Sequence, residues 1–246
     1  MNRRILELSE RLRAAPNIDA FWDLAGVELK ARGVESILYG ALATRHDADP
    51  KHISRSLVWK STHRREFFDV FGEDTFVDGD LSSEHCLNDS SLFIWHNEDA
   101  WKSAAPEQRK RASIEKDLGF DVGFTVPSSH FAPGHIGGIG AAMPNVPRAE
   151  FARYWRYRGP EILTICGLVD SGMRRQHIGE IIGLSGREKE CLTWLASGLR
   201  PDQIADRLNI GSKSIEKYIK SAREKLKANT RDHAVAKALI FNLIRP

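Results

Sequence analysis

Cysteine is scarce in this chain. Three thiols, Cys86, Cys166 and Cys191, stand far apart among 246 residues. An odd number with no CxxC or Cys/His ligand spacing excludes a disulfide framework and a zinc module, and predicts free thiols. Long apolar runs are missing too: no stretch approaches the ~18 residues of a membrane-spanning helix. The opening MNRRILELSERLR has no apolar core of the kind a secretory signal carries. No membrane partner and a cytoplasmic location are therefore expected. Catalytic motifs are likewise lacking. The glycine-rich PGHIGGIG, Pro133 to Gly140, matches neither GxGxxG nor a P-loop and reads as a β-turn. Asp80 and His85 have no nucleophile motif beside them, and His85, Cys86 and His96 have no recognised metal spacing. No catalytic residue, no metal site and no cofactor are expected, and the chain does not read as an enzyme. No internal repeat or low-complexity tract is apparent.

What is present is ordinary globular material, 41% hydrophobic and 28% charged, with room for two domains. The charge is uneven. From residue 184 onward there are 13 Lys and Arg against 7 Asp and Glu, whereas the preceding 183 residues carry 23 against 26. A basic end on an otherwise slightly acidic chain is the footprint of a nucleic-acid module joined to a module of another kind.

Local chemistry punctuates that basic end. Ser185 is an N-cap candidate, Gly198 a helix stop, Pro201 a favoured first helical residue, and Ser212 a cap for a longer helix after Asn209, Ile210 and Gly211. This layout is a helix-turn-helix. In its third helix Ile215, Ile219, Ala222 and Leu226 form one apolar stripe, expected to pack on Cys191, Leu192, Leu195, Ile204, Leu208 and Ile210. Lys213, Lys217 and Lys220 lie about 200° around the same helix, facing outward. A fourth helix is expected over about Asp232 to Leu243. Leu239, Ile240, Phe241, Leu243 and Ile244 exceed what one small bundle buries and suggest a dimer seam.

Ahead of that module, a helix broken at Pro16 precedes one capped by Asn17 or Asp19 and stopped at Gly33. Val34 to Thr44 and Ser54 to Lys60 read as a strand pair around the turn HDADPKH. Ser61 should cap a helix ending near Gly72, on which His63, Phe67 and Phe71 share a face. A short helix capped by Asp80 precedes a strand over Ser91 to His96, a helical stretch over Asn97 to Leu118, and strands over Phe120 to Pro127 and Ile136 to Met143. Helices over Pro147 to Tyr157 and from Pro160 to about Gln176 follow. The fold class expected is α+β: an N-terminal α/β/α sandwich with an antiparallel sheet over residues 1–173, a linker over 174–183, and an all-α four-helix helix-turn-helix domain over 184–246.

Glu188, Leu192, Gly198 and QIADRLNIGSKSIEKYIKSAREKL resemble the C-terminal helix-turn-helix of the LuxR family of transcription regulators. Phe67, Phe71, Asp80, Trp95 and Gly123 resemble, in spacing, the pocket signature of that family's autoinducer-binding domain. The resemblance covers essentially the whole chain. It implies a dimeric regulator on a two-fold-related site in double-stranded DNA, with Lys213, Glu216, Lys217 and Lys220 facing the major groove. It also implies a small-molecule signal, an acyl-homoserine lactone or a non-standard relative. Asp80 would accept the ligand's amide N–H, Trp95 would wall its ring, Gly123 would allow a close backbone approach, and His63 would stand where the family often has a Tyr. The family's Trp and Tyr are Phe67 and Phe71 here, so two polar handles are missing. Those substitutions motivate a second reading, a ligand-independent regulator whose N-terminal domain is a dimerisation or heterodimerisation module.

Overall fold

A computed structural model describes residues 3–47 and 52–246, in two compact units, Met1–Gly172 and Met173–Pro246. The fold is α+β. The first unit begins with α1 (Arg3–Arg13) and α2 (Ile18–Lys30), the latter capped by the Asn17 side chain, which accepts the Ala20 N–H at 2.9 Å. Then come β1 (Ser36–Leu42), α3 (Ile53–Ser56), β2 (Val58–Ser61), α4 (Arg65–Phe71), α5 (Leu81–Asn88) and β3 (Phe93–Ile94). They are followed by α6 (Pro106–Asp117), β4 (Gly123–Pro127), β5 (Ile136–Ala142) and α7 (Phe151–Gly172). The strands form one antiparallel sheet in the order β2-β1-β5-β4-β3.

The strand period of two gives this sheet two unlike faces. Ile37, Tyr39, Ala41, Phe124, Val126, Ile139 and Ala141 are buried. They alternate with Leu38, Gly40, Thr125, Gly138 and Gly140, which point the other way into a cavity. Phe124 meets Trp155 of α7 with ring centroids 4.7 Å apart, which fixes α7 on the bulky face. Asp80, at the start of α5, and Arg111 and Glu115 of α6 line the cavity from across the opposite face.

Several local expectations give way to tertiary ties. The segment expected as a strand from Ser54 begins as the helical turn α3. Ser54 donates its N–H and hydroxyl to Asp78, both at 2.9 Å, and accepts the Val77 N–H, which holds the turn against a distant loop. Ser61 does not cap α4; its hydroxyl accepts the His63 N–H, so His63 precedes the helix. The expected strand over Ser91 to His96 shrinks to Phe93–Ile94, extended by the Trp95 N–H donating to Gly123. The helical stretch over Asn97 to Leu118 splits into a 3-10 turn, Glu98–Trp101, and α6, because Pro106 without an N–H favours a first-turn position. Conversely, α7 runs unbroken through Pro160, joining two expected helices. Only Pro133 and Gly134 of the glycine-rich run lie in a turn; Gly137, Gly138 and Gly140 belong to the central strand β5. Most of the HDADPKH turn lies outside the described residues.

In the second unit, residues 174–182 of the expected linker are helical, in a π-helical turn, Met173–His177, and α8 (Ile178–Ile182), in which Ile178 and Ile182 are buried, and Gly183 closes α8 in the left-handed region. Four helices follow, α9 (Gly186–Ala196), α10 (Pro201–Leu208), α11 (Ser212–Lys225) and α12 (Arg231–Ile240). Cys191, Ile204, Ile215 and Ile219 form the core, with Leu195, Leu208 and Ile210 packed at its edge. Asn209 closes α10 in the left-handed region at φ 52°, a conformation its short polar side chain tolerates. The cap of α11 is Gly211 without a side-chain bond, and Ser212 is already helical. Thr230 caps α12, which ends at Ile240 rather than near Leu243. Buried Lys237 donates to the Leu226 and Lys227 carbonyls, placing a cation at the C-terminus of α11, where the helix dipole favours it. Of the residues expected at a dimer seam, Phe241 and Ile244 are buried within the unit, while Leu239 and Ile240 are exposed.

Glu188 ties this bundle together. It closes a capping box with Ser185 and accepts the Ser221 hydroxyl at 2.6 Å and the Lys225 ammonium at 2.8 Å, linking α9 to α11. Burial would raise its pKa, but the bonds from Lys225, Ser221 and Ser185 outweigh that and hold it at about 2. A fall from the ordinary 4.5 to about 2 corresponds to roughly 3 kcal/mol of stability. Because the pKa is depressed, that contribution is complete above pH 4.5 and fades as pH falls toward 2. Glu188→Ala should therefore lower the stability of the second unit at pH 7 by roughly 3 kcal/mol in urea unfolding. The difference from the parent should close on acidification through that window; a difference unchanged at pH 3 would assign the loss to packing instead.

Candidate functional site

Between the small-residue face of the sheet and helices α4, α5 and α6 lies a cavity of about 500 Å³, within the range of small-molecule sites. Its floor is built from absences. Gly40, Gly138 and Gly140 present no side chain, and Leu38 and Thr125 complete the surface. At Gly138 a Cβ would lie 2.7 Å from the Cys86 sulfur, and at Gly40 2.8 Å from Leu57, so side chains from across the cavity already reach close to the floor there. At Gly140 a Cβ would come no closer than 3.7 Å to Thr125 and Trp95, which is ordinary contact.

Four of the six expected ligand-site residues line this cavity: His63, Phe67, Asp80 and Trp95. His63 meets the Ser36 hydroxyl through Nδ1 at 2.9 Å, and its ring lies edge-on to Phe67 and Phe120 at 5.1 and 4.7 Å. Burial depresses its pKa to about 4, so the ring is neutral at pH 7. Phe67 also packs on Phe71 with centroids 5.0 Å apart. Phe71 and Gly123 do not line the cavity. Phe71 lies under the Arg111 guanidinium, 4.2 Å from its ring centroid. Gly123 serves Trp95 rather than a ligand, since a Cβ there would sit 2.5 Å from the indole and 2.3 Å from the Ala141 carbonyl. The Trp95 indole N–H donates to Thr125 Oγ1 at 2.7 Å, and its carbonyl accepts the Trp101 N–H.

Asp80 is both a cavity residue and the N-cap of α5. Its carboxyl oxygens accept the Ser82 and Ser83 N–H groups and both serine hydroxyls, at 2.6 to 3.1 Å. Two residues that sequence reasoning missed stand with it, Arg111 and Glu115, one turn apart on α6 and 2.9 Å from each other. Arg111 also donates to the Asp78 and Phe76 carbonyls. Burial and the neighbouring Asp80 push the Glu115 pKa up to about 7, against the pull of Arg111. Burial, with Asp80, also raises the Cys86 thiol, which stays protonated. All three cysteines are free. His85 bonds the Ser91 carbonyl and His96 packs on Phe151, and among the described residues no three metal-ligating side chains gather.

The second unit presents a different surface. Ile215, Ile219, Ala222 and Leu226 are buried, and Lys213, Glu216, Lys217 and Lys220 are exposed on the opposite side of α11. Lys220 lies 3.9 Å from Glu224, a loose, solvated pair that leaves its charge available to a phosphate.

Comparison with known proteins matches both units. Residues 17–171 fit the family described as autoinducer binding domain, and residues 183–238 fit the bacterial regulatory proteins of the luxR family. The transcriptional activator protein AnoR of Acinetobacter nosocomialis is 21% identical over 234 residues, 93% of each chain. RaiR of Rhizobium etli, another transcriptional activator, is 41% identical over 63 residues, 26% of this chain and 25% of that protein. The crystal structure of Escherichia coli SdiA superposes with a TM-score of 0.52 at 15% identity, over 99% of this chain and 98% of that one. SdiA in complex with octanoyl-rac-glycerol gives 0.51 at 15% identity, over 97% and 94%.

The two glycine classes separate experimentally. Gly123→Ala should destabilise the first unit by about 1–3 kcal/mol, because neither the Ala141 carbonyl nor the packed indole can yield cheaply. Gly140→Ala should stay within about 0.5 kcal/mol of the parent in the same urea titration. Equal losses at both positions would contradict the assignment of Gly140 to an open floor.

Proposed function

The chain belongs to the LuxR family of bacterial transcription regulators that carry an autoinducer-binding domain, and from that premise we propose that a small acyl molecule filling the cavity sets its affinity for a two-fold-related promoter site, bound as a dimer. The observation that carries the reading is the cavity itself. It is partly open to solvent, and at about 500 Å³ with largely apolar walls and a few polar groups at one end it has the size and lining of a small-molecule site. Apolar walls from Leu38, Phe67, Phe76 and Trp95 suit an acyl chain, and Asp80 with Glu115 offers acceptors to its headgroup. The SdiA complex with octanoyl-rac-glycerol supports an acyl occupant in this fold. An acyl-homoserine lactone finds Asp80 for its amide N–H, but at Phe67 it finds no donor for a ring carbonyl. The lost partner costs roughly 1–3 kcal/mol.

The competing reading, a ligand-independent dimerisation or heterodimerisation module, draws on Phe67 and Phe71. It requires a filled core around them, and the cavity beside Phe67 weighs against that. Exposed Leu239 and Ile240 on α12 are the side chains we assign to a homodimer contact. Lys213, Glu216, Lys217 and Lys220 are assigned to the major groove. We assign the protein to the cytoplasm, where a bacterial regulator meets chromosomal DNA.

Ligand and DNA binding are tested separately. A bound acyl ligand at 100 times its Kd adds about 2.7 kcal/mol. For a domain of this size, that should raise the unfolding temperature by roughly 5 to 10 °C. A panel of acyl lactones and acyl esters that leaves the melt of the full chain unmoved would remove the ligand reading. For DNA, Lys217→Ala and Lys220→Ala should each weaken promoter binding and reduce its salt dependence by about one phosphate contact. Unchanged affinity and slope would show that α11 meets DNA by another face.

A further inference from the structure

The hydrogen-bonding groups at the polar end of the cavity are lopsided: acceptors are open and most donors are taken. The Ser82 and Ser83 hydroxyls are spent on Asp80 Oδ2, and the Trp95 indole N–H on Thr125. Phe67 and Phe71 have no donor to give. Arg111 has every guanidinium nitrogen engaged, with Glu115, the Asp78 carbonyl and the Phe76 carbonyl, and its plane lies on the Phe71 ring. On the acceptor side, Asp80 Oδ1 receives only the Ser82 N–H among the described residues. Glu115 Oε1 receives Arg111 Nε, while Oε2 has no hydrogen-bond partner among the described residues. A half-buried carboxyl oxygen that faces the cavity without a protein partner gives up water when an occupant arrives, so it favours an occupant that brings a donor.

We propose that Glu115, acting with Asp80, determines the ligand specificity of this cavity, and that the pair selects an acyl-linked headgroup bearing several O–H or N–H donors over a lactone ring. This rests on the ligand-sensor reading and narrows its substrate class. Glu115 contacts the headgroup; Arg111 is a positioning residue that holds Glu115 in place. The Thr125 hydroxyl accepts from Trp95 and keeps its own proton, which is free for the acyl carbonyl. A lactone headgroup brings one donor, its amide N–H, and a ring carbonyl that must compete for the two N–H protons remaining on Arg111. A glycerol headgroup brings two hydroxyl donors, matched to Asp80 Oδ1 and Glu115 Oε2.

Binding should then depend on pH with a defined sign. The other titratable or charged groups lining the cavity are Asp80 ahead of α5, Cys86 on α5, His63 ahead of α4, His96 and Glu98 after β3, Arg109, Arg111 and Lys116 on α6, Asp121 and Arg148. Burial, with Arg148, holds the His96 pKa below the ordinary histidine value. His63 is neutral, and Cys86 stays a thiol, between about pH 6 and 8. Glu115 changes charge in that interval, its pKa lying at about 7. A donor-rich ligand favours the ionised carboxylate and should bind more tightly as pH rises through 7. A lactone carbonyl favours the protonated acid and should bind more weakly.

The test is calorimetric binding of 1-octanoylglycerol and N-octanoyl-homoserine lactone, identical in acyl chain, to the full-length protein and to Glu115→Gln at pH 6 and 8. The amide of Glu115→Gln still accepts from Arg111 but turns the free oxygen into a donor, and a melt without ligand checks that it folds. The expected result is a tenfold or greater preference for the glycerol ester at pH 8, reversed or abolished in Glu115→Gln, together with loss of the rise between pH 6 and 8. Equal or tighter lactone binding by the parent, or a preference that survives Glu115→Gln, overturns this inference and leaves the sensor reading standing. Binding of neither compound to either protein overturns both.

Discussion

The sensor half of this molecule depends on one steric constraint: a central antiparallel sheet that is bulky on one face and nearly bare on the other. Tyr39, Phe124 and Ile139 bury one face against helices, while Gly40, Gly138 and Gly140 leave the other without side chains. Because the strand period is two, the same residues that make a solid core on one side make a cavity on the other. Cys86 and Leu57 close over Gly138 and Gly40, and the floor stays open at Gly140, where the opposing elements are tied elsewhere. Ser54 and Asp78 fix the α3 region, and Arg111 fixes α6 to the Phe76 and Asp78 carbonyls. The cavity therefore owes its floor to the side-chain-free backbone at Gly140 and to the ties that hold the opposing helices in place.

Chemistry at the polar end follows from that frame. Asp80 is held rigidly as the cap of α5, so its geometry is set before any ligand arrives. Glu115 is placed by Arg111, which is placed by backbone carbonyls and by Phe71. Phe71, once a candidate contact, thus acts at one remove: it supports the guanidinium that orients the carboxyl. Gly123 acts in the same indirect way, by making room for Trp95. The second unit shows a parallel economy, with Glu188 joining two helices through a serine and a lysine so that α11 keeps its basic face outward.

Legibility in the sequence tracks how local each determinant is. The helix-turn-helix could be read because Ser185, Gly198, Asn209 and the stripe from Ile215 to Leu226 act within a few residues of themselves. The antiparallel sheet was readable from alternation, and four cavity residues from family spacing. What escaped was set by distant partners. Ser54 looks like a strand residue until its bond to Asp78 is known, and α7 passes through Pro160 where proline rules call for a break. Arg111 and Glu115, spaced by four in a highly charged helix, carry the ordinary signature of a solvated face; only their placement over the glycine floor turns them toward a ligand. The strand over Ile136 to Met143 was readable, and the turn reading of the glycine-rich run holds only at Pro133 and Gly134; what the sequence did not show is that Gly138 and Gly140 face a cavity.

The most direct test of a cavity made to be filled is native mass spectrometry of the full chain after incubation with a mixture of acyl lactones and acylglycerols, beside Gly140→Leu. The account predicts one small acyl molecule retained per chain by the parent, and none by the variant whose side chain occupies the floor, with the variant's own melting temperature kept or raised. A parent that stays at its bare mass throughout, or a filled variant that retains ligand as well as the parent does, would contradict it.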